Sequence, residues 1–153
     1  GTELEAPTVV DIRANIVHAT ATAAQYADLA ERYATDTPIE TGEVVILGGQ
    51  EEITKCMEDK SDAVFGVVSN APAYLMNSEA GNNDTHPAIA LKGRVPVKVT
   101  GTGVAGDRIV SAGYGTARVA SEGEATTFNT LGRLIKDKYM KDTQLTECVI
   151  GVK

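Results

Sequence analysis

The stretch Val64–Val110 constrains the fold more than any other part of the chain. It reads VFGVVSNAPAYLMNS, then a polar loop, then HPAIALKGRVPVKVTGTGVAGDRIV. Short apolar runs are broken by Gly, Pro and Asn, the pattern of consecutive short strands joined by turns. Apart from His86 the stretch has no His, no Cys and no paired acidic cluster. Its repeated valines read as packing positions of a β-rich assembly module, with little that could act on a diffusible substrate.

The chain has 153 residues, enough for one domain or one domain with an arm. It is 42% hydrophobic and 23% charged, a balance that can bury a single core. Aromatics make up only 5% and Trp is absent, so the core rests on Val, Ile, Ala and Leu. A net charge of −7 argues against nucleic acid or an anionic membrane as main partner, because both require Lys and Arg clusters. No charged-then-apolar leader opens the chain, and no apolar run approaches the ~20 residues of a membrane helix. A start at Gly1 without Met points to a fragment, a trimmed chain or a processed product.

Cys56, in ITKCM, and Cys148, in ECVIGV, form neither a disulfide framework nor a zinc site. They read as buried free thiols, with a disulfide open only to neighbouring strands. Asn83-Asp84-Thr85 matches the glycosylation acceptor triplet, but no secretion signal accompanies it.

Along the chain, the alternation Val10, Ile12, Ala14, Ile16 reads as an extended arm. Ala19–Ala34 is the one helix candidate: Tyr26, Leu29, Ala30 and Tyr33 fall at helical spacing, and Asp28 can pair with Arg32. After Pro38 the pattern is β. Strands are expected at Glu43–Leu47, in EEITKCM, at Ala63–Ser69, Ala88–Leu91, Val95–Val99 and Thr146–Val152. Lys92-Gly93-Arg94 splits two of them, and Pro96 places its strand at an edge or a bulge. Asp107–Ser111 and Thr116–Ala120 form a hairpin across Ala112–Gly115. Leu131–Lys136 has helical propensity, but its neighbours argue for a strand. Ala71 before Pro72 forces a turn, and Asn77–Thr85 is an exposed loop.

Gly101-Thr102-Gly103-Val104-Ala105-Gly106 matches the G-x-G-x-x-G dinucleotide fingerprint. That fingerprint works only where a helix opens at its third glycine. The continuation DRIVSAGYGTARV is a poor helix, so the glycines read as a β-turn and no nucleotide cofactor is expected. His18 and His86 are the only histidines, and neither has metal-ligand spacing around it, so no metal is expected. Asp28 and Glu31 would share a face of a helix. Two close carboxylates can separate into an acid and a base. The plainer reading is an exposed acidic face with Arg32 as partner.

AQYADLAERY, TGEVVILGGQEEIT, VFGVVSNAPAYLMNS and ALKGRVPVKVTG with GDRIV occur in this order. Together they resemble a module at the C-terminal end of bacteriophage tail-fibre and appendage proteins. The module is similar to the intramolecular-chaperone autoproteolytic domain of phage neck-appendage and tailspike proteins, over about Ala23 to Val110. The resemblance implies a β-rich domain, trimerisation and a place in a virion fibre. In the autoproteolytic relatives the chain cuts itself on the N-terminal side of this domain, with acidic residues implicated. Asp28 and Glu31 match that acidic motif. Leu29 stands where the autoproteolytic version tends to have an aromatic, and Ala71 separates Asn70 from Pro72, a departure in spacing.

The expected fold is therefore mainly β: a compact barrel-like or sandwich-like module over residues 23–153, with an N-terminal extended arm over residues 1–22 and one short helix. The expected function is that of a virion structural protein, assembled in the host cytoplasm. It would be a homotrimeric fibre or appendage domain for assembly or capping. It would contact other virion proteins and, through Asn77–Thr85, a host surface receptor. The alternatives are a self-cleaving intramolecular chaperone, which would be an intramolecular autoprotease, and a capsid-surface decoration protein.

Overall fold

A computed structural model describes residues 27–153. The arm expected over residues 1–22 and the first part of the expected helix lie outside the described residues. The elements are ten strands: β1 (Ala27–Arg32), β2 (Val44–Leu47), β3 (Ile53–Lys55), β4 (Val64–Ser69), β5 (Tyr74–Met76), β6 (Ala88–Val99), β7 (Arg108–Gly113), β8 (Thr116–Val119), β9 (Gly132–Leu134) and β10 (Gln144–Ile150). The described residues contain no helix, and none that could cross a membrane.

The long strand β6 organises the rest. Its N-terminal part pairs with β4 on one edge and β1 on the other. Its C-terminal part pairs with β10 over Gly93–Val99 and with β8 at Val99. From β10 the ladder continues through β9 and β7 to β8 and so back to β6, closing a five-stranded barrel. A closed barrel leaves no free edge. Outside it, β4 leads to β2 and β3, and β1 leads to β5. Of the two outlines expected, barrel and sandwich, the barrel is the one formed.

Two cores explain why β2 and β4 read as continuous apolar runs. Val44, Val67 and Ala90 enter the barrel core with Val95, Val97, Val99, Ile109, Ala117, Leu134, Cys148 and Ile150. Their sequence neighbours Val45, Val68 and Ile89 face the other way and pack with Ile53, Tyr33, Ile39, Phe65 and Leu91. Successive strand residues point to opposite faces. A strand buried on both faces must therefore be apolar at every position. Tyr33 and Phe65 meet edge-to-face in the second core, ring centroids 5.1 Å apart.

Gly93 joins the two halves of β6. Ala90 faces the barrel core, and so do Val95, Val97 and Val99. Unbroken alternation would have turned those three valines outward, so the strand must change parity between residues 90 and 95. The ladder with β1 shows where: Leu29 stands opposite Lys92 and Ala30 opposite Ala90, so Leu91 is the extra residue of a bulge, and Gly93 follows it with φ +114°. A Cβ there would lie 2.4 Å from the Ala27 carbonyl oxygen, so only glycine lets β1 approach. The split expected at Lys92-Gly93-Arg94 is not formed: one strand runs through it, and the face changes at the bulge beside it. Pro96 is registered against Glu147 of β10 alone, between the β1 pairing that ends at Arg94 and the β8 pairing at Val99. Its missing donor falls where no second strand needs it.

The helix expected over Ala19–Ala34 is not formed in its described part. Ala27–Arg32 is strand β1, with Asp28 and Ala30 buried and Ala27 and Leu29 exposed. ADLAER has helical propensity, but pairing along both edges, parallel to β5 and antiparallel to β6, overrides it. The hairpin expected across Ala112–Gly115 is formed by β7 and β8. Leu131–Lys136 contributes strand β9. At Gly101–Gly106 the chain makes a turn: Val104 N–H donates to Asp107 Oδ2 at 2.9 Å, Asp107 N–H donates to Val104 O at 3.0 Å, and β7 follows. Among the described residues no helix opens at the third glycine, the feature that the dinucleotide fingerprint requires.

Candidate functional site

The two acidic residues singled out by spacing do not form a pair. In strand β1, residues three apart lie on opposite faces. Asp28 is buried with Ala30, whereas Glu31 shares the outward face with Leu29. Glu31 Oε1 accepts a hydrogen bond from the Tyr33 hydroxyl at 2.7 Å. Burial and this carboxylate push the Tyr33 hydroxyl up to about 12.

Asp28 is the unusual group. It is only 3% exposed, and its Oδ2 has no hydrogen-bond partner among the described residues. Burial pushes its carboxyl above the ordinary range, and the nearby Ser69 side chain pulls partly against that. Ser69 ends β4 and opens the Ser69-Asn70-Ala71-Pro72 turn. The Ala73 N–H donates to the Asp28 carbonyl at 3.0 Å, which fixes the far side of that turn against β1. The fold thus sets a carboxyl biased towards its neutral form beside a serine hydroxyl, where spacing had suggested a second carboxylate. Sequence reasoning missed Ser69 because it read SNAP as a turn and as a departure in spacing, and gave its serine no role.

Arg32 also has a different partner from the one expected. It does not reach Asp28. Its guanidinium donates to Ser78 O at 3.1 Å, Asn83 Oδ1 at 2.9 Å and His86 O at 2.7 Å. The Asn77–Thr85 loop is exposed along its whole length, as expected, yet Arg32 ties it to the end of β1. Within the loop the Asn82 side chain accepts from the backbone N–H of Asp84 and Thr85. His86 Nδ1 lies 2.9 Å from Thr85 Oγ1.

Beside this region lies an open edge. Among the described residues β5 pairs only with β1, and Leu29 stands opposite Tyr74 in that parallel register. Leu29 is 39% exposed and Tyr74 is 64% exposed, so the two make an apolar strip along the edge. The edge strand Tyr74-Leu75-Met76 carries no charge or proline that would discourage pairing with another chain.

The other charged clusters are structural. Glu43 is buried between Lys55 at 3.4 Å and Lys98 at 3.3 Å, and it accepts the Glu40 N–H at 2.9 Å. Arg118 bridges Asp59 and Glu124 by forked hydrogen bonds. That guanidinium and the Ser121 N–H hold Glu124 down at about 2. The buried Lys138 ammonium donates to the carbonyls of Gly101, Met140 and Asp142 and so locks two loops together. No group of His, Cys, Asp and Glu among the described residues could hold a metal ion. Cys56 and Cys148 are both buried and free.

No family model matches the chain, and no curated protein matches it either. Solved structures do. The C-terminal fragment of bacteriophage phi29 gene product 12 aligns with a TM-score of 0.56 at 16% identity, over 82% of this chain and 100% of that one. The pre-mature phi29 gene product 12 aligns with a TM-score of 0.56 at 15% identity, over 82% of this chain but only 21% of that one. The head fiber gp8.5 N base of phi29 aligns with a TM-score of 0.47 at 10% identity, over 79% of this chain and 92% of that one. At these identities, what this chain has in common with the gene product 12 fragment is its fold.

Proposed function

We propose that this chain is a structural domain of a bacteriophage virion appendage or fibre, working as a homotrimer that assembles or caps the appendage and contributes to host attachment. The observation that carries the reading is the fold, which spans the whole of the phi29 gene product 12 C-terminal fragment. The open β5 edge supports the self-association: an uncharged edge with exposed Leu29 and Tyr74 needs a cover, and a second copy supplies one. Its partners are then copies of itself, other virion proteins and a host surface receptor. Light scattering on the purified chain tests the reading. The expected mass is three times the 16.0 kDa of one chain. A single-chain mass at every concentration would refute it.

A second reading, self-cleavage, is favoured by one observation: Asp28 is buried beside Ser69 with an Oδ2 that has no partner among the described residues. A carboxyl biased towards its neutral form can donate a proton to a leaving amine, and a nearby hydroxyl can attack a peptide carbonyl. Expression with the natural upstream segment tests it. Self-cleavage predicts a cut upstream of Asp28 that is lost in Asp28→Asn and Ser69→Ala and kept in Glu31→Gln. A precursor that assembles and stays whole would leave the domain purely structural.

A further inference from the structure

Tyr114 stands at the tip of the β7–β8 hairpin between Gly113 and Gly115, with φ +53°. Glycine and asparagine take up this left-handed conformation readily, whereas a bulky aromatic rarely does. The side chain is 74% exposed, so burial in the described chain does not account for an aromatic there. Backbone strain that packing does not explain is a pointer to function. Beside Tyr114, Met57 is also exposed, and the two border a shallow groove of about 440 Å³ lined by Asp36, Thr37, Thr54 and Lys55 as well.

Asp36 adds an independent observation. Its Oδ2 accepts the Gln50 N–H at 2.9 Å, while Oδ1 is buried and has no partner among the described residues. The Gln50 amide and the Thr54 side chain hold this carboxyl below its ordinary range, so it is an acceptor-only group at neutral pH. Asp36 is one of the residues that line the groove. An anionic ligand would meet Asp36 and a net charge of −7. A purely apolar ligand would strand Asp36, Lys55 and two threonines. An uncharged ring bearing hydroxyls fits both the aromatic face and the mixed donors and acceptors.

We propose that this groove binds an uncharged saccharide, one sugar face stacked on Tyr114, a hydroxyl donating to Asp36, and Lys55 and Thr54 meeting ring oxygens. The proposal rests on the attachment part of the function proposed above and moves the contact from Asn77–Thr85 to the hairpin tip. The experiment is calorimetric titration of the full chain with maltotriose, cellotriose and chitotriose, with heparin as an anionic control. At least one of the three is expected to bind saturably. Tyr114→Phe should keep that binding, while Tyr114→Ala and Tyr114→Asn weaken it about tenfold or more. Tyr114→Asn should at the same time raise the urea midpoint, because asparagine relieves the strained turn. Asp36→Asn should weaken binding with the fold retained. Failure of all three sugars to bind below about 10 mM overturns the proposal. So does binding that survives Tyr114→Ala, or binding of heparin alone. The trimer mass is read separately, so loss of sugar binding with the trimer intact overturns this site and leaves the structural role standing.

Discussion

Replacing Gly93 by alanine tests whether β6, just beyond its bulge at Leu91, depends on the close approach of β1. The backbone there has φ +114°, a region from which side chains are excluded, and the strain is about 1–3 kcal/mol. The new Cβ would also sit 2.4 Å from the Ala27 carbonyl oxygen and 3.0 Å from the Asp28 Cα. Ordinary contact begins at 3.4 Å, so β1 must retreat by about 1 Å. The retreat weakens the ladder around Asp28↔Gly93 and Leu29↔Lys92, at about 1 kcal/mol per hydrogen bond. The sum is about 3–5 kcal/mol, a large share of the roughly 5–15 kcal/mol that stabilises a domain. Gly101→Ala is the control. Gly101 also has positive φ, +80°, but nothing lies within 4 Å of its Cβ position, so only the strain of about 1–2 kcal/mol remains. Urea unfolding followed by circular dichroism gives both values. Equal losses in the two variants would mean that β1 does not press on Gly93, and the account of the junction would fail.

Three further predictions concern single groups. Burial raises the Asp28 carboxyl, so the folded chain holds that proton more tightly than the unfolded one. Its contribution is then full below the ordinary carboxylate value of about 3.9 and declines as pH rises from there through the folded value. Asp28→Asn should therefore gain on the parent as pH rises above about 4 and level off once the folded carboxyl has ionised, and a urea-midpoint difference independent of pH would contradict this. Arg32→Ala releases Ser78, Asn83 and His86, so limited proteolysis within Asn77–Thr85 should speed up roughly tenfold with the strand signal unchanged; an unchanged cutting rate would show that the loop is held elsewhere. Cys56 and Cys148 are buried, and burial together with Glu147 pushes the Cys148 thiol up to about 12. A thiol reagent should leave both untouched in the native chain and label both in denaturant; fast native labelling of Cys148 would contradict its place in the barrel core.

Particular residues show how far the chain could be read in advance. VVIL and VFGVVS were legible as strands because each is a short apolar run closed by turn residues. Gly113-Tyr114-Gly115 was legible as a hairpin tip, because glycine supplies the positive φ of the turn. ADLAER was misread, since its local spacing fits a helix and its strand partners lie far away at Tyr74–Met76 and Ala88–Arg94. Barrel closure was equally hidden, because it depends on β10 returning to β6. At the candidate site, Asp28 was found for a reason that did not hold. Helical spacing paired it with Glu31, whereas the fold sets it beside Ser69. The strain at Tyr114 had no visible signal, because no residue type announces its own φ.

The central claim is that the open β5 edge is where copies of this chain meet. Tyr74→Lys places a charge on that edge without touching either core, since Tyr74 is 64% exposed. Light scattering on this variant, beside the parent, is the most direct measurement. The account predicts an unchanged β-type circular dichroism spectrum and a mass that falls from three times 16.0 kDa to that of one chain. A Tyr74→Lys variant that remains trimeric would contradict it.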